Sequence, residues 1–222
     1  MTSTAHTPSG LGLGIYSIPD VAYLIGTSQE NVRRWISLSE GLIPRIFGEE
    51  KLLTFAELME LHFIKLFRDE GVTLQTIKIA SEKAAERFHS SFPFSVKRFD
   101  TDGKAIFATL QSESTDTVLL EDIDKGQLVF EKILRPFFRK LEYGTNFDLV
   151  RYWPLSKSGR VVLDPARKFG KPIDSETGVP VQTILNALQA GGGQSRTVVA
   201  EWLGIPLAAV NQAVAFDQLL SV

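Results

Sequence analysis

Arg33 and Arg34 stand side by side in the stretch DVAYLIGTSQENVRRWI, residues 20–36. On a helix, Val32, Trp35 and Ile36 fall at i, i+3, i+4 spacing and face a core. Gln29, Arg33, Arg34 and Ser37 are then left on the outward side, with Ser28 at the helix start. Guanidinium, amide and hydroxyl groups on one free face are donors suited to phosphate oxygens and base edges. A short helix held by apolar packing, with such a face exposed, is what insertion into a DNA groove needs. The competing reading is a helical hairpin inside a core, with both arginines merely solvated.

Other chemistry is weakly represented. Asp116, Glu121, Asp122 and Asp124 form an acidic cluster, but no partner His, EF-hand spacing or phosphate loop accompanies them, so an exposed turn is expected. GLGLG at 10–14 does not follow a strand, which leaves no dinucleotide fingerprint. His6, His62 and His89 lack metal-ligand spacing, and His62 is expected packed or exposed on a helix. The chain has no Cys, so disulfides, thiolate metal sites and Cys nucleophiles are excluded. No catalytic constellation emerges, and neither enzyme activity nor a cofactor is expected.

The elements that position the arginines can be read from their caps. Ser17-Ile18-Pro19-Asp20 is a helix start, with Ser17 as cap and Asp20 bonding back. Val21, Leu24 and Ile25 share a face, Ala22 allows a close helix crossing, and Gly26 suits a turn with positive φ. Thr27-Ser28-Gln29-Glu30 reads as a second cap, with Glu30 three residues after Thr27. Downstream, Arg45 and Lys51 flank a loop at Gly48 and join the candidate DNA contacts. Thr54, with Glu57 behind it, caps a third helix that ends at Gly71, and Thr73 starts a fourth that runs toward Phe88.

On the stretches NVRRWI, EGLIPR and LLTFAELMELHFIKLFRDEGVTLQTIK, residues 15 to 88 resemble the MerR family of winged helix-turn-helix regulators. The resemblance implies a DNA contact at Arg33. The two aromatics usual after that position are here Arg34 and Trp35, and the Arg and Tyr common on the wing are replaced by Lys51 and Leu53. No sustained heptad repeat follows Phe88, so the dimerising coiled coil of a MerR sensor is not expected.

The whole chain has 222 residues, 44% hydrophobic and 23% charged, with a net charge of −2. The charge is uneven: Lys132 to Lys171 holds ten Lys/Arg against three Asp/Glu, a block of +7 that could face a polyanion or an acidic partner. No apolar run approaches membrane-spanning length, residues 1–14 read as a short mobile tail rather than a signal peptide, and a cytoplasmic protein is expected. In the middle, Ser95 to Leu110 reads as a β-hairpin about Asp100-Thr101-Asp102-Gly103, and Val118 to Ile123 as a strand before a turn at Gly126. Leu128 to Leu141 has helical spacing interrupted by Pro136, while Asp148 to Trp153 and Arg160 to Leu163 read as strands. The expected fold is α+β and predominantly helical. Its segments are a tail (1–14), a winged helix-turn-helix (15–90), a small α+β middle domain (95–158) and a C-terminal helical unit (159–222).

That last unit repeats the first. VVAEWLGIPLAAVNQAV, residues 198–214, superposes Val21 on Val199, Ala22 on Ala200, Leu24 on Trp202, Gly26 on Gly204 and Val32 on Val210. The outward residues differ: Arg33 and Arg34 become Asn211 and Gln212, and no Lys or Arg follows Trp202. Phosphate neutralisation dominates affinity for DNA, so the expectation is reading by the first unit and assembly by the second. Leu207, Ala208, Ala213, Phe216 and Leu220 are its expected protein-contact face. Before it, Asp164-Pro165, Gly170-Lys171-Pro172 and Val179-Pro180-Val181 resemble small helix-turn-helix proteins encoded beside toxin genes.

A MerR-like head on such a tail resembles the antitoxins of VapBC-type toxin–antitoxin systems. The resemblance implies double-stranded operator DNA and a PIN-domain ribonuclease toxin as partners, and repression of the shared operon. Symmetric reading implies a homodimer, with the C-terminal unit as the candidate seam. The alternative is a transcriptional regulator that binds a small ligand in its middle domain and has no toxin partner.

Overall fold

The computed structural model describes residues 13–38, 52–113, 117–145, 148–190 and 193–220. The expected N-terminal tail, Arg45, Lys51 and Asp116 lie outside the described residues, apart from Leu13 and Gly14 at the tail's end.

Side-chain caps set the head. Ser17 Oγ accepts from the Asp20 N–H while the Asp20 carboxylate accepts from the Ser17 N–H at 2.9 Å, which starts α1 (Ile18–Ile25). Before it, β1 (Tyr16–Ser17) pairs antiparallel with β2 (Leu52–Leu53), Tyr16 opposite Leu53. The same reciprocal cap, Thr54 with Glu57, starts α3 (Phe55–Asp69). Thr73 starts α4 (Leu74–Phe88), and its N–H and hydroxyl both donate to Asp122 at 2.9 and 2.8 Å. Burial alone would raise the Asp122 pKa, but bonds from Thr76 and Thr73 outweigh it and hold the carboxyl below its ordinary value. Asp122 is therefore a buried pin on α4, not part of an exposed turn.

The expected hairpin at 95–110 and strand at 118–123 are both replaced by helices. These are α5 (Lys97–Glu113) and α6 (Thr117–Val129). Phe99, Ile106, Phe107 and Leu110 lie at helical spacing and are all buried, so the helical period governs the segment. Gly103 and Gly126, read as turn residues, serve close packing instead. A Cβ on Gly103 would collide with the Phe130 ring, and one on Gly126 with Phe107. The helical reading of 128–141 holds as far as Phe138: a π turn, Phe130–Leu134, carries the Arg135 N–H to the Phe130 carbonyl, α7 (Arg135–Phe138) restarts with Pro136 in its first turn, and Leu141 passes into a strand.

These helices close on α3 around an aromatic core. Phe63 meets Phe137 edge-on at 5.2 Å and Phe67 meets Phe107 at 5.5 Å. His62 is packed 4.7 Å from Phe137, and burial pushes its pKa down to about 3. Glu60, also buried, accepts the N–H groups of Phe94 and Ser95, and burial pushes its pKa up to about 7 despite those bonds.

A four-stranded antiparallel sheet follows, in the order β3 (Leu141–Tyr143), β4 (Leu149–Tyr152), β5 (Val161–Leu163), β6 (Pro172–Asp174). It runs straight across residue 158, two strands on each side. Arg160 clamps buried Asp174 through Nε at 2.6 Å and Nη2 at 3.0 Å. Arg151 joins Asp164 to Glu142 across β4. Helices α8 (Val181–Gln189), α9 (Arg196–Leu203) and α10 (Leu207–Leu220) complete the tail.

Between β5 and β6, Lys168 and Phe169 both take left-handed backbone, at φ +48° and +56°. Each such residue costs about 1–3 kcal/mol and persists only where its surroundings hold it. Here the holding contact is the head: Ile15 N–H donates to the Phe169 carbonyl and the Tyr16 hydroxyl to the Gly170 carbonyl, at 2.9 and 2.8 Å.

Candidate nucleic-acid interface

Helix α2 (Gln29–Leu38) carries the predicted donors. It is launched by Gly26 at φ +68°, a conformation that favours glycine, with the Thr27 N–H returning to the Ala22 carbonyl at 2.9 Å. The cap is one residue later than the sequence suggests. Ser28 Oγ accepts from the Asn31 N–H at 3.1 Å, and Thr27 Oγ1 accepts from the Asn31 side-chain amide instead. Because α2 begins at Gln29, the residue three after the cap is Asn31, and Glu30 is simply exposed.

Val32 and Trp35 are buried against the rest of the head, while Ser28, Gln29, Arg33, Arg34 and Ser37 are all exposed or half-buried on the outward side. Two short bonds restrain the guanidiniums: Arg33 Nη2 donates to Gln29 Oε1 at 3.1 Å and Arg34 Nη2 to Asn31 Oδ1 at 2.9 Å. Among the described residues neither arginine makes an ion pair. The face thus presents two partly pre-oriented cations in the middle of α2, and their own charge attracts phosphate.

The second unit reproduces the scaffold. Ser195 caps α9, Gly204 turns at φ +62°, and the Ile205 N–H returns to the Ala200 carbonyl at 3.0 Å. Its second helix is used differently. Ala213 and Phe216, expected on an outward face, are buried with Ala209 and Val210. Gln212 turns inward and its Oε1 accepts from the Arg160 N–H at 3.5 Å, while exposed Asn211 accepts from Arg196. Leu207, Trp202 and Leu219 are the large apolar side chains that stay exposed there.

Much of the basic block serves the fold. Arg135 pairs with Glu131, Arg151 and Arg160 stitch the sheet, Lys140 donates to the Pro154 carbonyl and Arg167 to that of Ser175. Counting charges along the chain could not reveal most of this, because apart from Glu131 the partners lie on neighbouring strands and turns.

Residues 16–83 match the MerR HTH family regulatory protein model. The N-terminal domain is therefore a MerR-type helix-turn-helix. Over 159 residues the chain is 27% identical to a Mycobacterium tuberculosis (strain ATCC 25618 / H37Rv) protein named "Putative antitoxin VapB45", covering 67% of this chain. The match spans 65% of that relative's length. The crystal structure of Rv2018 from Mycobacterium tuberculosis superposes with a TM-score of 0.73 at 19% identity, covering 90% of this chain and 96% of that one. The fold is thus shared over nearly the whole length. Among the described residues no single helix is long and apolar enough to cross a membrane.

Proposed function

We propose that this chain is a DNA-binding antitoxin of a type II toxin–antitoxin system. It reads double-stranded operator DNA through α2, neutralises a PIN-domain ribonuclease toxin and represses its own operon, in the cytoplasm and without enzymatic activity of its own. The observation that carries the reading is the outward donor face of α2, with Ser28, Gln29, Arg33, Arg34 and Ser37 in front of a packed scaffold. Arg45 and Lys51, which lie outside the described residues, are proposed as further DNA contacts. The 27% identical relative supports the antitoxin role. One short helix contacts too few bases for selective reading, so the active species is a homodimer. The exposed apolar side chains Trp202, Leu207 and Leu219 are its proposed seam.

Fluorescence anisotropy against the DNA upstream of the gene, across a salt series, tests the reader. Arg33→Ala/Arg34→Ala weakens binding and flattens the salt slope by about two units at most, with thermal stability unchanged. A double variant that binds as the wild type does moves the reader off α2. Co-expression with a PIN-domain nuclease encoded beside the gene tests the toxin half: the expected result is a stable complex and loss of RNA cleavage, and an unbound, active nuclease removes that half alone. A ligand-responsive regulator with no toxin partner is the second reading; the cavity that favours it lies between head and tail rather than in the middle domain.

A further inference from the structure

Two tail motifs, Gly170-Lys171-Pro172 and Val179-Pro180-Val181, are far apart in the chain from the head, yet they meet it at one place. Lys171, Pro172, Pro180 and Val181 line a cavity of about 150 Å³ whose other wall is Asp20, Tyr23 and Leu24 of α1. Its floor is apolar: Leu24, Val181, Leu185 and Phe216, all buried side chains. A cavity of about this size lined by aliphatic and aromatic groups holds one benzene-sized group.

The mouth is not apolar. Lys171 is exposed and makes no ion pair among the described residues, so its ammonium is available to an anion. Asp20 uses Oδ2 for the Ser17 N–H and hydroxyl, and Oδ1 accepts nothing among the described residues. The other polar side chains at the rim have partners: Tyr23 donates to Asp217 and the Gln182 amide to Asn186. Among the described residues the site thus offers one free cation, one free carboxylate oxygen and an apolar floor for a single side chain. A simple acid would meet Asp20 as a like charge, and a simple amine would meet Lys171.

We propose that this head–tail cavity binds a free hydrophobic α-amino acid, its carboxylate on Lys171, its ammonium on Asp20 and its side chain on the floor. Bound there, the ligand bridges α1 to α8 and α10, and binding to the joined arrangement stabilises it by mass action. The proposal does not rest on the antitoxin reading. Binding is read on the whole protein with neither DNA nor nuclease present, so either can fail alone.

The test is isothermal titration and thermal shift with L-phenylalanine and L-leucine, beside 3-phenylpropanoate, which lacks the ammonium, and phenethylamine, which lacks the carboxylate. The expected result is a saturable rise in Tm with at least one of the two amino acids. Exposed ion pairs contribute about 0.2–1 kcal/mol, so each one-charge analogue should bind up to about fivefold more weakly than L-phenylalanine. Lys171→Met should erase the advantage of L-phenylalanine over phenethylamine while leaving the unliganded Tm in place. Absence of saturable binding by either amino acid overturns the proposal. So does phenethylamine or 3-phenylpropanoate binding as tightly as L-phenylalanine to the wild type, a comparison that needs no variant to fold.

Discussion

The first and last helix-turn-helix units share a turn almost atom for atom and part company one residue class at a time. Both close on a left-handed glycine, with the following N–H returned to an alanine carbonyl, Ala22 in one and Ala200 in the other. Both bury a valine at the centre of the second helix, Val32 and Val210. The aligned pair Leu24 and Trp202 shows the divergence: Leu24 is 7% exposed and Trp202 62%. On the second helices the order reverses. Helix α2 keeps Arg34 exposed, whereas α10 turns the counterpart Gln212 onto the Arg160 backbone; the counterparts Trp35 and Ala213 are buried in both. A helix-turn-helix is a packing solution before it is a reader; which helix faces are left over decides whether it reads anything.

The sharpest way to break this comparison is at its most unequal pair. Leu24→Ala should cost about 2–5 kcal/mol in chemical denaturation, and Trp202→Ala no more than about 0.5 kcal/mol. Equal losses would mean that the two units are packed alike. Next in size is the reading itself. Arg33→Ala should weaken operator binding by about 1–3 kcal/mol, while Asn211→Ala leaves it unchanged in the same anisotropy assay. A loss at Asn211 would give the second unit a share of the reading.

A pH series separates both units from the aromatic core between them. Glu60 is held protonated in the fold, its pKa raised to about 7 by burial against an ordinary 4.5, so the folded state binds more protons across that interval. That contribution is complete below the ordinary value of 4.5 and is lost as pH rises toward 7. Glu60→Gln removes it, so wild-type Tm should fall by a few degrees relative to the variant between about pH 5 and about pH 7.5. A gap that stays constant would mean that Glu60 is not desolvated. The smallest effect tests the contact between head and tail within one chain: Tyr23→Phe deletes the bond to Asp217 and should cost about 0.5 kcal/mol, because the bond is exposed. A loss several times larger would make the two units one cooperative body through that bond.

What the chain alone makes legible follows from range. Caps at Ser17, Thr54 and Thr73 act within three residues, and the glycines at 26 and 204 within one turn, so each can be read directly from the local sequence. The outward positions of α2 follow from period alone. The hairpin reading of 95–110 fails because Gly103 looks the same in sequence whether it makes a turn or admits the Phe130 ring. Asp122 reads as solvated because its partner, Thr73, is 49 residues away. Gln212 and Phe216 are misread for the same reason, since the sheet and helices that cover them are set by pairings far along the chain.

The bond from Tyr16 to Gly170 spans 154 residues. During synthesis at about 5–20 residues per second, β1 therefore waits roughly 8 to 30 seconds for the turn that holds it from outside. A chain cut short by a stalled ribosome before residue 170 carries α2 and its arginines but never receives those two hydrogen bonds. The strand at the root of the N-terminal domain is fastened by a turn made after β5 and before β6, so its finished state reports that translation has run past β5.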